Sequence, residues 1–545
     1  MLIGYVSDEN YCALYDVAVE FQADGQLFST RSTASGAVIA DLPLGTYEVI
    51  LQHRDYCSKR VQLQIENDQV YQFRLLSKKL YGFAWPRCVS AGESSEFRVH
   101  STSEYSLELW RYGKEKEYIR RIGTFDDHAP LANLQITPDG DYTQNGVDWN
   151  NVGYKTVTQK QTVAAPDQSG LYMFHLSNKS GDVFTYPWVV SPKRPQSDVA
   201  ILASDLTWNA YNNFGGRSNY LNPEGLPPTP VVNSRQELRR YLKPSFGAYY
   251  VENYPPLSLE RPQPYLHIDL EEQLRDPIYS RMGCGMLHSE WRLLGWMEEQ
   301  GLDYDYYSET QFHFGQLPLD EYKVLILSSH PEYWSKQMYD QLKAWVFESG
   351  GRLIYLGGNG LNCEVEFLDD HRVIYHNTDC TKWCGVAMDP PIPESESTFE
   401  SRYHARQESE ANLLGVAFSF AGIMTGAPYK VVDDQHWCFE GTNLKQQELF
   451  GTESQHMRIP GGASGHETDK ISPSSPPEVH LLAQGINPDQ GGADMVHFKT
   501  GSGGEVFSVG SICWITSMLV DDNVSRISRN VIDQFTKSDC TGNGS

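Results

Sequence analysis

Residues 324–335 read VLILSSHPEYWS, an apolar run that ends on His330, Pro331, Glu332, Tyr333 and Trp334. In extended chain, side chains two residues apart face the same side, so an imidazole and a carboxylate are offered together. Proline lacks an N–H and keeps its predecessor out of the helical region, so the strand has to stop at His330. The pair can serve as an acid–base couple at a crevice, or as a strand cap that only binds neighbouring loops. Two further apolar runs also end on polar groups. VAILASD leads into LTWNAYNNFGGRSNY, with Tyr211 and Tyr220 around Gly215–Gly216, and RLIYLGGNG leads into Asn359. GGASGHETD adds Glu467 in a glycine-rich loop, where a lone carboxylate is usually just solvated. No G-x-S-x-G elbow is found. Cys363 follows Asn359 by four residues with no obvious histidine partner, and reads as a structural thiol.

These residues need a scaffold that converges strand ends. VAILA (199–203), DYDYYSE (303–309), KVLILSS (323–329) and RLIYLGG (352–358) read as strands. Leu287, Trp291, Leu294 and Met297 have helical spacing, closed by Gly301, and Ser335 caps a helix with Tyr339, Leu342 and Val346 on one face. Strand–helix–strand alternation predicts right-handed crossovers and a doubly wound α/β sheet over 196–537, with ligands at the carboxyl ends of its strands. It closes with the helix VSRISRNVIDQF. Ahead of it, short alternating runs such as VAVEF, YEVIL and RVQLQI predict a β-sandwich over 1–77. EFRVH, SLELW, LYMFHL and TYPWVV predict a second sandwich, Ig-like or jelly-roll-like, over 78–190, before the linker SPKRPQS (191–197).

A chain of 545 residues is long enough for several cores. Its formal charge of −26 argues against a nucleic-acid partner, because phosphate contacts need clustered Lys and Arg. No apolar run is long enough for a membrane span, and MLIGYVSDENYC does not read as a signal peptide. The ten cysteines are scattered, with only Cys380 and Cys384 close together, and are expected as reduced thiols of a cytoplasmic protein. There are 32 tyrosines, so any single one is more often packing than ligand.

Together, TWNAYNNFGGRSNY, SSHPEYWS, LGGNG, SGHETD and EVFSVGSICWITSMLVDDNVSRISRNVIDQF resemble the large (beta) subunit of N,N-dimethylformamidase, over about 195–535. LPLGTYEVIL resembles a carboxypeptidase regulatory-like (transthyretin-like) module, which ordinarily packs or binds. The first resemblance implies an amidohydrolase that cleaves the C–N bond of a small amide, such as an N-substituted formamide. It also implies a mononuclear Fe(III) held by two tyrosinates and a glutamate, which are hard anionic donors for a hard ion. Carried onto this chain, Glu332 is the carboxylate and Tyr211 one phenolate. The second falls in SFGAYYVENY, at Tyr250, with Tyr249 and Tyr254 as alternatives. Glu467 becomes the general base or proton shuttle, His330 supports from behind the ligands, and Asn359 orients substrate or water. Tyr333 is expected to pack. A small partner subunit and a homo-oligomer are also implied. Phe214 stands where relatives often carry Trp, and Pro331 where an acidic residue is common, so both are expected to reshape the pocket. The α/β part also resembles trehalose-utilisation and glutamine amidotransferase-like sheets, which leaves a sugar-processing or metal-free enzyme open. A non-catalytic binding protein with interacting sandwiches is the third alternative.

Overall fold

Strand-forming residues dominate the first 190 positions, and they fold as paired sheets. The computed structural model describes residues 1–66, 69–126, 133–151, 161–231, 254–377 and 399–537. Tyr249, Tyr250, Cys380, Cys384 and Cys540 lie outside the described residues. A four-stranded sheet and a three-stranded sheet, formed within residues 2–74, enclose Val6, Val19, Phe21, Val49, Leu51 and Phe73. A five-stranded and a three-stranded sheet, formed within 81–191, enclose an aromatic core that includes Phe97, Trp149, Phe174 and Trp188.

The largest sheet has nine strands. In chain order they are β1 (Val199–Ala203), β2 (Asp305–Ser308), β3 (Val324–Ser329), β4 (Arg352–Gly357), β5 (Tyr429–Val431), β6 (Leu449–Phe450), β7 (His480–Gly485), β8 (Asp494–Lys499) and β9 (Glu505–Ser508). Their spatial order is β2-β1-β3-β4-β9-β8-β7-β5-β6. Neighbours from β2 to β9 run parallel, and those beyond β9 run antiparallel. The molecule is therefore multidomain and mostly sheet, and its main sheet is mixed rather than doubly wound. The reason lies in the connections. Residues 486–493 and 500–504 are too short for a crossover helix, so β7, β8 and β9 must reverse direction.

Helices pack on this sheet: α1 (Asp205–Tyr211), α2 (Arg281–Gly285), α3 (Leu287–Glu299), α4 (Glu309–His313), α5 (Lys336–Phe347) and α6 (Asp522–Lys537). The alternate side chains of β1 and β3 divide the core. Ile201 and Ile326 meet Trp291 and Leu294 of α3 and Val531 of α6, whereas Leu202 and Leu327 meet Phe312 of α4 and Leu342 of α5. Ser335 caps α5 by accepting from Met338 N, and Ser308 forms a capping box with Gln311 at α4. The described cysteines are free thiols. Among the described residues no helix is long and apolar enough to cross a membrane.

Candidate active site

Three strand ends meet at one cavity. β1 passes through Ser204 into α1, whose last residue is Tyr211. β3 ends at Ser329 and delivers His330 and Glu332, and the Glu332 amide is tied to Thr207 Oγ1 of α1 at 3.1 Å. β4 ends at Gly357 and delivers Asn359. Gly358 is required there, because a Cβ would stand 2.4 Å from the Glu467 carbonyl oxygen. Ser329, Asn359 and His466 all have positive φ, so non-glycine residues occupy the left-handed region at three points around the site.

Glu332, only 1% exposed, is the hub. Tyr211 Oη donates to its Oε2 at 3.1 Å, and Tyr220 Oη lies 3.0 and 3.1 Å from its two oxygens. Arg402 Nη2 donates to Oε1 at 2.6 Å. His330 Nε2 sits 3.0 Å from Glu332 Oε2 and 3.6 Å from Glu467 Oε2, so the imidazole bridges the two carboxylates. Its Nδ1 donates to the Gly358 carbonyl at 2.9 Å. Asn359 Nδ2 donates to Glu467 Oε2 at 2.8 Å, and Arg281 Nη2 lies 3.7 Å from Glu467 Oε1. Behind them, the Asn359 amide and the Tyr355 hydroxyl both donate to Asp469 at 2.7 Å.

Burial opposes every charge here, and the neighbours decide the outcome. Burial would raise Glu332, yet His330 and Arg402 hold it down to about 2. Burial would lower His330, yet Glu332 and Glu467 raise it to about 9. Burial and the Glu332 charge push the Tyr211 phenol well above its ordinary value. Burial lifts Asp469 to about 7.

Tyr211, Tyr220, Arg281, Met282, Gly285, Met286, His330, His466 and Glu467 line a cavity of about 270 Å³. Its mix of carboxylate, phenol and thioether walls suits a small molecule with one polar and one apolar end. Of the residues anticipated from sequence, Tyr211, His330, Glu332, Asn359 and Glu467 are brought together. Tyr250 lies outside the described residues, and Tyr254 is buried without lining the cavity. Tyr333 does more than pack: its hydroxyl hydrogen-bonds to Tyr220 Oη and accepts from Asn219 Nδ2 at 2.9 Å. Phe214 is turned away from the cavity, into the aromatic core of the second sandwich, 5.4 Å from Tyr81 between ring centres. It anchors the tyrosine loop rather than shaping the pocket. Cys363 is buried, its thiol pushed up to about 12 by burial. Arg281 and Arg402 lie outside every motif singled out in the sequence, whereas Tyr220 and His466 stand inside TWNAYNNFGGRSNY and SGHETD without a role assigned to them. Only the Gly215–Gly216 pair signalled that the chain between Tyr211 and Tyr220 reverses.

The donor set fits a hard, highly charged cation. Tyr211, Tyr220 and Glu332 offer only oxygen, each phenol oxygen lies about 3 Å from the Glu332 carboxylate, and a cation is what would draw a proton from a phenol held neutral by burial. Among the described residues, Asp369, Asp370 and His371 also gather ligand-type atoms, but these groups pair with one another and with Arg372.

Comparison with known proteins places this chain in a family. The N,N-dimethylformamidase beta subunit of Paracoccus aminophilus is 27% identical over 431 residues, covering 69% of this chain and 54% of that protein. The N,N-dimethylformamidase beta subunit of an Alcaligenes species is 28% identical over 303 residues, covering 48% of this chain and 38% of that protein. The chain thus spans about half the length, or less, of the curated relatives it matches. The family model described as N,N-dimethylformamidase beta subunit-like, C-terminal, matches residues 109–526, and the chain belongs to that family.

Proposed function

We propose that this chain hydrolyses the C–N bond of a small amide of the N-substituted formamide class. The observation that carries the reading is Glu332 with two phenols on its oxygens, linked through His330 to Glu467 at one small cavity. Tyr211, Glu332 and a second phenolate would hold Fe(III). Tyr220 supplies a phenol at Glu332, and Tyr250 remains the position implied by the family. Bound there, the ion supplies a Lewis acid for the amide oxygen and acidifies water.

The chain's own residues do the rest. Glu467, held by Asn359 at 2.8 Å, takes a proton from the attacking water and returns it to the leaving amine. His330 keeps Glu332 ionised and aligned. Met282 and Met286 give the N-alkyl groups an apolar wall. The relatives are named as a beta subunit, which supports assembly of this chain with a partner subunit.

The test is metal analysis with visible spectroscopy, alongside dimethylamine release from N,N-dimethylformamide. Stoichiometric iron, a phenolate-to-iron charge-transfer band and turnover are expected. Protein lacking both iron and the band would remove the metal from this reading, and no turnover of any small amide would remove the reaction.

A further inference from the structure

His466 is drawn into the cavity by a backbone cost and leaves one ring nitrogen uncommitted. Its φ of +67° belongs to the region where glycine is favoured, yet a histidine stands there. The ring Cε1, between the two nitrogens, lies 4.0 Å from where a Cβ on Gly285 would stand, and Gly285 lines the same cavity. Nδ1 is occupied by His456 Nε2 at 3.1 Å. Nε2 has no hydrogen-bond partner among the described residues.

The proton positions follow from one obligatory donor. The Ile459 amide donates to His456 Nδ1 at 2.9 Å, so that nitrogen must carry a lone pair. Burial holds His456 down at about 4, so the neutral ring keeps its proton on Nε2 and donates it to His466 Nδ1. His466 is itself kept neutral by burial, and its one proton is therefore on Nε2. The seat of His456 is rigid. Ile278 bridges to it, with the Ile278 amide on Gln455 O at 2.8 Å and the Met457 amide on Ile278 O at 3.0 Å. Elsewhere in the cavity, His330 is committed to Glu332 and Gly358, and Arg281 lies beside Glu467. His466 is the neutral N–H that remains.

We propose that His466 binds substrate by donating its Nε2–H to the amide oxygen, with His456 as the positioning residue that fixes this tautomer. The proposal rests on the amide-hydrolase reading for its substrate and on the histidine pair for its geometry. A fixed neutral donor strengthens as the oxygen gains charge and loses no proton in doing so, which places its effect in turnover more than in binding.

Two measurements test it. Selective ¹⁵N-histidine labelling of the metal-free full chain reads the tautomers directly, and Nε2–H is expected at both positions at pH 7.5. His456→Leu should scramble the His466 tautomer, whereas His456→Gln, which keeps a donor toward Nδ1, should preserve it. In the iron-loaded enzyme, His466→Phe should lower kcat for N,N-dimethylformamide about 100-fold, with KM changed less than about 3-fold. His456→Leu should lower kcat about 10-fold, and His456→Gln should restore most of it. An Nδ1–H tautomer at His466, or an unchanged kcat in His466→Phe, overturns the inference alone. Wild-type protein that turns over no amide overturns the underlying function, while the tautomers remain measurable.

Discussion

Glu290 of α3 is a buried carboxylate that holds α1, the helix ending in Tyr211, in place, and its replacement by glutamine should stabilise the protein more as pH rises. Its Oε1 accepts from Trp208 Nε1 at 3.0 Å and from the Ser204 amide at 3.3 Å, and its Oε2 accepts from the Tyr306 hydroxyl at 2.9 Å. Burial raises its pKa from 4.5 to about 8 despite these donors. The folded state therefore binds the proton more tightly than the unfolded state. Stability is undiminished below about pH 4.5, falls as pH rises through 4.5–8, and levels off above that. At 1.36 kcal/mol per pKa unit the full loss is about 5 kcal/mol, with about 3 kcal/mol already lost at pH 7. Glu290→Gln keeps the acceptor for Trp208 and Ser204 and offers an NH₂ to the Tyr306 oxygen, without the ionisation. The variant should match wild type within about 1 kcal/mol at pH 5 and exceed it by about 4 kcal/mol at pH 8. Hydrogen exchange of the α1 amides at the two pH values, together with thermal unfolding, is the assay. A stability difference that does not change with pH would mean that burial does not hold Glu290 protonated.

Other perturbations reach the site itself. Tyr211→Phe and Glu332→Gln should each lower bound iron at least about 10-fold and weaken the visible band accordingly, since even an outer-shell partner of a metal is worth that much. Comparing Tyr220→Phe with Tyr250→Phe then identifies the second phenolate, and iron retained in Tyr211→Phe and Glu332→Gln would rule out the ligand set. Asn359→Ala releases Glu467 and should cost about 10- to 100-fold in kcat with little change in KM; an unchanged kcat would clear Asn359 of that role. Gly285→Ala meets its neighbours at 3.9–4.0 Å and should be tolerated, whereas Gly285→Leu should raise KM at least about 10-fold by filling the cavity. Phe214→Ala should destabilise by about 3–5 kcal/mol on calorimetry, by emptying the aromatic core beneath the tyrosine loop.

The readable parts of the sequence are those where local chemistry and local structure coincide. His330, Pro331 and Glu332 announce a strand end because proline enforces it, and 3.0 Å between His330 and Glu332 is what that spacing delivers. The α3 and α5 periodicities and the Ser335 cap are local for the same reason. Tyr220 is different. Its approach to Glu332 spans 112 positions and depends on a glycine reversal and on Phe214 docking in another core. Arg402 and the His456–His466 pair also arrive through long-range closure, which no periodicity encodes. The antiparallel half of the main sheet is obscured because β5 and β6 have only three and two residues, too few to show alternation.

The Gly215–Gly216 turn has a second support. Gly215 N donates to the Glu9 carbonyl at 2.6 Å, and Arg74 Nη2 donates to the Gly215 carbonyl at 2.9 Å. A Cβ on Gly216 would stand 2.2 Å from Tyr11 Cβ, and the Tyr11 hydroxyl donates to Pro227 O at 2.7 Å. Residues from the first sheet pair are thus mortised into the loop that presents Tyr211 and Tyr220. Removing positions 1–77 would therefore be a poor way to ask what that segment binds, because the cut would unseat the tyrosines at the same time. A chimera that exchanges this segment has to bring Glu9, Tyr11 and Arg74 with it. A library confined to those contacts could in turn retune the cavity from outside, without touching a residue that lines it.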